Sequence, residues 1–205
     1  MTSFVNGFYR FAEWAMRFAY LNILWVVFTL VGLIALGFMP ATTAMFSVAR
    51  KWVRGDSDAP VFKVFWKTYK QDFLTSNVLG WALFLVGYLL TIEFQILRTQ
   101  ESSMYFIASY GVIALFILLF ILVMYFFPVY VHFNLRPVQY LKWPFIIGII
   151  HPILTIFLAV VLGAIYYFTF TTLPALLFFF GGSFTAFILT WGSAKTFPKY
   201  EEKTA

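Results

Sequence analysis

The sequence predicts an all-α fold: a polytopic transmembrane helical bundle of about five spanning helices, forming one domain over residues 1–205, with interfacial amphipathic helices. Composition is the first reason. Hydrophobic residues make up 62% of the chain and charged residues only 11%, where a soluble domain carries about 25% charged residues. A water-soluble globule of this size could not hide so much apolar surface. The second reason is run length, because several apolar stretches exceed the roughly 18 residues that mark a spanning helix. These stretches are continuously apolar and not alternating, which selects helices over a barrel.

Five spans follow from hydropathy, at about 18–39, 75–97, 104–133, 145–168 and 173–194. Each is long enough to cross about 30 Å at 1.5 Å per residue. Pro174 does not oppose the fifth, since proline is tolerated in a first helical turn. The run at 18–39 is longer than a signal core and has no convincing small-residue cleavage site after it, so it reads as a retained span.

Charge placement predicts the orientation. With the N-terminus outside and the C-terminus cytoplasmic, the cytoplasmic segments hold Arg50, Lys51, Arg54, Lys63, Lys67, Lys70, Arg136, Lys142, Lys195, Lys199 and Lys203. These are eleven of the fourteen basic residues, leaving Arg10, Arg17 and Arg98 outside. Basic residues concentrate in loops that stay in the cytoplasm. The formal net charge of +6 therefore points to anionic lipid headgroups and not to nucleic acid.

Before the first span, residues 1–17 form an amphipathic segment. Phe4, Phe8, Phe11, Ala15 and Phe18 fall on one helical face, with Asn6, Arg10, Glu13 and Arg17 on the other. Two readings stand: a helix lying in the interface, or a simple extension of the first span. Residues 40–74 are expected to form two short cytoplasmic interfacial helices. Pro40 is expected to end the first span, and Ala41-Thr42-Thr43-Ala44 to restart a helix that Arg50, Lys51, Trp52 and Arg54 anchor at the surface. Gly55 to Pro60 reads as a loop. In VFKVFWKTYKQDFL, residues 61–74, Phe62, Phe65, Trp66, Tyr69 and Phe73 line one helical stripe, with Lys63, Lys67 and Lys70 along its flank. Such a helix seats its rings at headgroup depth and sends its lysines to anionic phosphates. Alternatively its aromatic face docks a protein partner, for which Tyr and Trp are common anchors.

GFMPATTAMFSVARKWVRG (37–55), FWKTYKQDF (65–73) and NVLG (77–80) together resemble the YesL family of bacterial integral membrane proteins, most clearly over residues 18–90. The resemblance implies a multi-pass protein of the bacterial cell membrane, with genes near those for uptake and breakdown of polysaccharides. By the same token it implies an accessory role beside an ATP-driven sugar importer of the ABC type. It carries over no catalytic residues.

The chemistry visible in the chain is sparse. There is no phosphate-binding glycine loop, no His-Glu-x-x-His, no clustered carboxylate pair, no nucleophile elbow and no cysteine. No cofactor or metal is expected, and the chain is not read as an enzyme, since acid–base catalysis needs groups within reach of a reacting proton. His151, before Pro152, is the intramembrane polar candidate. Its imidazole either bonds a carbonyl that the proline leaves free or contacts a substrate or proton. His132 is expected to reach the interface near Asn134 and Arg136. Arg98 is placed to neutralise Glu93 near the outer end of the second span. Pro128 and Pro152 predict kinks. Ala159-x-x-x-Gly163 and Gly182-x-x-x-Ala186 predict close helix approach, within the chain or between copies. The functional expectation is a non-enzymatic accessory that docks through residues 50–73. The alternative is a small solute transporter or channel built as a homo-oligomer, against which the lack of an inverted repeat counts.

Overall fold

A computed structural model describes residues 2–100 and 102–197, with side chains from Gly7 onward. Phe4, Asn6, Lys199 and Lys203, on which parts of the amphipathic and charge readings rest, lie outside the described side chains. The described chain is helical: α1 Thr2–Val31, α2 Ala35–Val53, α3 Val61–Gln71, α4 Phe73–Thr99, α5 Ser103–His132, α6 Gln139–Ile150, α7 Pro152–Thr172 and α8 Gly182–Ala194, with a π-helical turn, Leu177–Gly181, leading into α8. Five segments are long and apolar enough to cross a membrane: Gly7–Val31, Phe73–Thr99, Ser103–His132, Pro152–Thr172 and Leu177–Ala194. This is a multi-pass membrane protein, as composition requires.

Three antiparallel hairpins build it. In the first, α1 and α2, contacts step in opposite directions along the two helices. Trp14 meets Trp52 at a ring distance of 5.6 Å, Trp25 Nε1 donates to Thr42 Oγ1 at 3.0 Å, and Gly32 abuts Gly37. α4 and α5 form the second, with Leu79 beside Phe126 and Gly87 facing Leu119. α7 and α8 form the third, with Leu158 against Gly192 and the Tyr166 hydroxyl 2.9 Å from Thr185 Oγ1. The short helices α3 and α6 join one hairpin to the next.

The first hairpin departs from expectation. Pro40 does not break the chain; it lies inside α2, and the reversal falls earlier, at Gly32–Ile34, where Leu33 and Ile34 take positive φ. Proline removes the N–H that would bond the carbonyl four residues back, here Leu36. Asn77 of α4 replaces it, donating Nδ2 to Leu36 O at 2.9 Å. Proline inside a helix normally costs about 3 kcal/mol; a donor from another helix removes part of that penalty. With the carbonyl satisfied, α2 continues through the proline as one helix. Nor is it interfacial. Ala41, Thr43, Ala44, Val48 and Ala49 are fully buried, and α2 packs on α1, α3, α4, α5 and α8. It is the central helix.

The hairpin also corrects the topology. Arg17 of α1 donates to Ser57 O and pairs with Asp58 at 2.9 Å, both in the α2–α3 loop. A hairpin returns the chain to the side it left, so the N-terminal half of α1 and the 54–60 loop share one end of the bundle. They are not on opposite faces, as a cytoplasmic 40–74 with an external N-terminus would require. The C-terminal end of α5 joins them, since Arg50 reaches His132 O at 3.4 Å, and so does the segment after α8, as the Phe197 ring lies tilted against His132 at 4.4 Å. Arg10 and Arg17 thus move to the basic end, and Arg98, at the α4–α5 turn, stands apart from it.

The fourth expected span is divided. The helix stops at His151, with φ −116° and ψ 60°, leaving α6 and α7 as separate pieces. Here too the proline orphans a carbonyl, Gly148 O, and the donor is Thr155 Oγ1 at 3.0 Å rather than the His151 imidazole. The same hydroxyl lies 3.0 Å from His151 O and 3.0 Å from the Tyr125 hydroxyl of α5. This buried knot fixes the angle between the two pieces. Asn22, 1% exposed, plays a related part at the π-turn. Its Nδ2 donates to Phe178 O, and its Oδ1 accepts from Ser183 N at 3.0 Å.

Candidate docking edge and basic cluster

α3 begins after Pro60 and ends at Asp72, whose N–H still bonds Thr68 O before α4 starts. Its apolar positions recur at helical spacing, so its rings share one broad face. The structure divides that face lengthwise. Phe65 is fully buried and Tyr69 nearly so. Both pack on Phe28 of α1, at ring distances of 5.2 and 5.1 Å. The Tyr69 hydroxyl donates to Phe28 O at 3.1 Å, and burial pushes the phenol up from its ordinary pKa, so it stays a neutral donor. Thr68 adds a tie to Ser47 of α2 at 3.1 Å. Phe73, half-buried, closes this row with its ring 5.6 Å from Tyr69.

The other half of the stripe faces outward. Phe62 is 50% exposed and Trp66 38% exposed, with Lys63, Lys67 and Lys70 exposed beside them. Lys70 Nζ sits 4.8 Å above the Trp66 ring, a cation–π contact of about 0.5–1 kcal/mol at an exposed site. Two rings held by a rigid helix and edged with lysine therefore form an amphipathic rim.

The basic residues of α2 separate in the same way. Trp52, expected as a surface anchor, is buried, its ring edge-on to Trp14 and Phe18 at 5.6 and 5.4 Å. It anchors α1, not the membrane surface. Lys51 is exposed and pairs with Asp56 at 3.2 Å. Arg50 is half-buried and Arg54 exposed, and both converge on His132, which Arg54 Nη2 approaches at 3.3 Å from Nε2. His132 does not project freely to the interface; it is half-buried between Phe133 and Phe197, at 4.9 and 4.4 Å. His151 caps the start of α7, far along the chain from α3 and α2, and its backbone carbonyl rather than its ring is held.

The predicted residues therefore fall into a buried packing set (Trp52, Phe65, Tyr69), a rim (Phe62, Trp66, Lys67, Lys70) and a cation cluster (Arg50, Arg54). Sequence reasoning missed His132 as the centre of that cluster, because 78 residues separate it from Arg54. It also missed Asn22, Asn77 and Thr155. An uncharged polar side chain in an apolar run was the available signal, and an asparagine there must find partners.

Comparison with known proteins places the chain among uncharacterised relatives. Residues 18–94 match a domain family described as "Protein of unknown function, DUF624". The chain is 35% identical over 206 residues to "Uncharacterized protein YesL" of Bacillus subtilis (strain 168), covering 98% of this chain and 94% of the relative. It is 36% identical over 178 residues to "Uncharacterized protein YteU" of the same organism, covering 87% and 79%, and 31% identical over 200 residues to "Uncharacterized protein YesV", covering 98% and 96%. No solved structure matches.

Proposed function

We propose a role for this chain that starts from its family, since it belongs to the YesL-like membrane proteins of the DUF624 family: it is a non-enzymatic accessory of an ATP-driven carbohydrate importer in the bacterial cell membrane. The basic end of the bundle faces the cytoplasm, as the placement of lysine and arginine favours. The outer rim of α3 then docks on a cytoplasmic-facing part of the importer.

The observation that carries this reading is the division of the α3 stripe. A helix made only to cover the core would bury its aromatic face, and one made only to float would leave it free. This helix is fixed by Phe65 and Tyr69 and keeps Phe62 and Trp66 outward. Preordered aromatic anchors bind with little entropic loss. The importer itself is inferred from the carbohydrate-utilisation setting that the family resemblance implies.

The test is purification of the full chain from native membranes, in wild-type form and as a Phe62→Ala/Trp66→Ala double variant. Subunits of a sugar importer are expected with the wild type and to fall at least about tenfold with the variant, since central aromatic anchors are worth 2 kcal/mol or more. The reading fails if no importer subunit accompanies the wild type and deletion of the gene leaves sugar uptake unchanged.

A further inference from the structure

The end of the bundle where α2 and α5 finish gathers cations with few anions to answer them. Among the described residues, Asp56 pairs with Lys51 at 3.2 Å and Asp58 with Arg17 at 2.9 Å, while Asp72 lies beside the Tyr130 hydroxyl and forms no ion pair. Among the described residues, neither Arg50 nor Arg54 has a carboxylate within ion-pair reach. Both lean on His132 instead, Arg50 Nη2 on its carbonyl and Arg54 Nη2 on its ring Nε2.

The proton inventory defines what is missing. A guanidinium can only donate, so His132 Nε2 accepts from Arg54 and the ring proton is assigned to Nδ1. That Nδ1 is buried without an acceptor among the described residues, and so is Arg50 Nε. A buried donor left unmet costs about 1–3 kcal/mol, and more when charged. The cluster thus holds two guanidinium forks, each using one donor on His132, and among the described residues the Arg50 Nε and the imidazole Nδ1–H have no acceptor. Phe133 and Phe197 wall the imidazole, which keeps water from the ring and strengthens charge interactions beside it.

We propose that Arg50, Arg54 and His132 form a binding site for a phosphate-type oxyanion. Guanidinium forks match the oxygens of phosphate, and a tetrahedral oxyanion can take bonds from several directions where a carboxylate offers only two oxygens. The donors stand at the C-terminal ends of α2 and α5, and the His132 carbonyl ending α5 holds Arg50 in place. The phosphate can come from an anionic lipid headgroup or from solution. The site is independent of the importer reading, since it uses none of the α3 rim residues.

The experiment takes the full chain in a neutral detergent and measures binding of short-chain phosphatidylglycerol and of inorganic phosphate by native mass spectrometry and thermal unfolding. Arg54 is exposed, so Arg54→Gln leaves packing intact. Arg50→Lys keeps the charge while removing the fork and the buried Nε. Lys142→Gln removes the same charge from the exposed start of α6. Arg54→Gln is expected to weaken binding about tenfold and Arg50→Lys by a comparable factor, as charge-assisted hydrogen bonds are lost, with Lys142→Gln changing it less than about twofold. Phosphatidylglycerol bound at this site and not displaced by inorganic phosphate assigns it to a lipid; protection by inorganic phosphate alone assigns it to a soluble ligand. Unchanged binding in both arginine variants, or an equal loss in Lys142→Gln, overturns the proposal.

Discussion

Gly37→Ala will destabilise the protein by about 3 kcal/mol or more, the upper range for overpacking, although it adds a single methyl group. A Cβ on Gly37 would stand 2.7 Å from Phe28 O and 2.9 Å from Gly32 Cα, and closer still to Thr29 O. All three are backbone atoms, so no side chain can rotate away. Relief requires the α1–α2 reversal to open, and that reversal already carries Leu33 and Ile34 at φ 60° and 61°, conformations that cost about 1–3 kcal/mol each. Opening it would also move Leu36 O from Asn77 and unpair the carbonyl that Pro40 orphans. Gly111→Ala is the matching control, because nothing lies within 4 Å of its added Cβ. It should be neutral or stabilising by about 0.5–1 kcal/mol from helix propensity. Thermal unfolding in detergent, followed by tryptophan fluorescence, reads both.

Phe65→Ala comes next in size, at about 3–5 kcal/mol, the range for deleting a buried phenylalanine. Phe65 is fully buried against Phe28 and Tyr69, so truncation leaves a cavity between α1 and α3 that the rigid helices cannot close. Phe62, three residues earlier on the same helix, is half exposed and touches Phe28 only at 6.4 Å. Its truncation should cost less than about 1.5 kcal/mol, near the surface range. The contrast separates the two jobs of α3. Phe65 holds the helix in place, and Phe62 belongs to the rim proposed to meet a partner. Equal losses at the two positions would mean that the stripe is all core.

Much of the fold is legible in residues whose environment is uniform. α5 was expected at 104–133 and runs Ser103–His132, because thirty near-continuous apolar residues leave hydropathy no competitor. The fourth and fifth spans keep their C-terminal ends within a few residues for the same reason. What hydropathy does not read is the pairing of an orphaned carbonyl with a donor far along the chain. Pro40 looks like a break until Asn77 is known to bond Leu36 O, and the stretch before Pro152 looks like one span until Thr155 is seen to take up Gly148 O. Both depend on tertiary contact, which local pattern does not contain.

The candidate site was legible to the same degree. Periodicity placed Phe62, Phe65, Trp66 and Tyr69 on one face, and the structure keeps them there. Which half of that face is covered depends on where Phe28 stands, and Phe28 belongs to a helix whose end was placed eight residues too late, at 39 rather than at Val31. The same displacement hid the α1–α2 hairpin. Charge counting then put Arg10 and Arg17 opposite the 50–70 region, although Arg17 pairs with Asp58 across the mouth of that hairpin.

The hairpin is the claim on which topology, docking edge and anion cluster all depend. Since the chain contains no cysteine, single cysteines at Tyr9, Ser57 and Ser102 can be labelled with a membrane-impermeant maleimide in intact and permeabilised cells. The structure predicts that positions 9 and 57 behave alike and opposite to position 102; with the basic end in the cytoplasm, as proposed, 9 and 57 react only after permeabilisation and 102 reacts in intact cells. Labelling of position 9 from outside with position 57 still protected would contradict it.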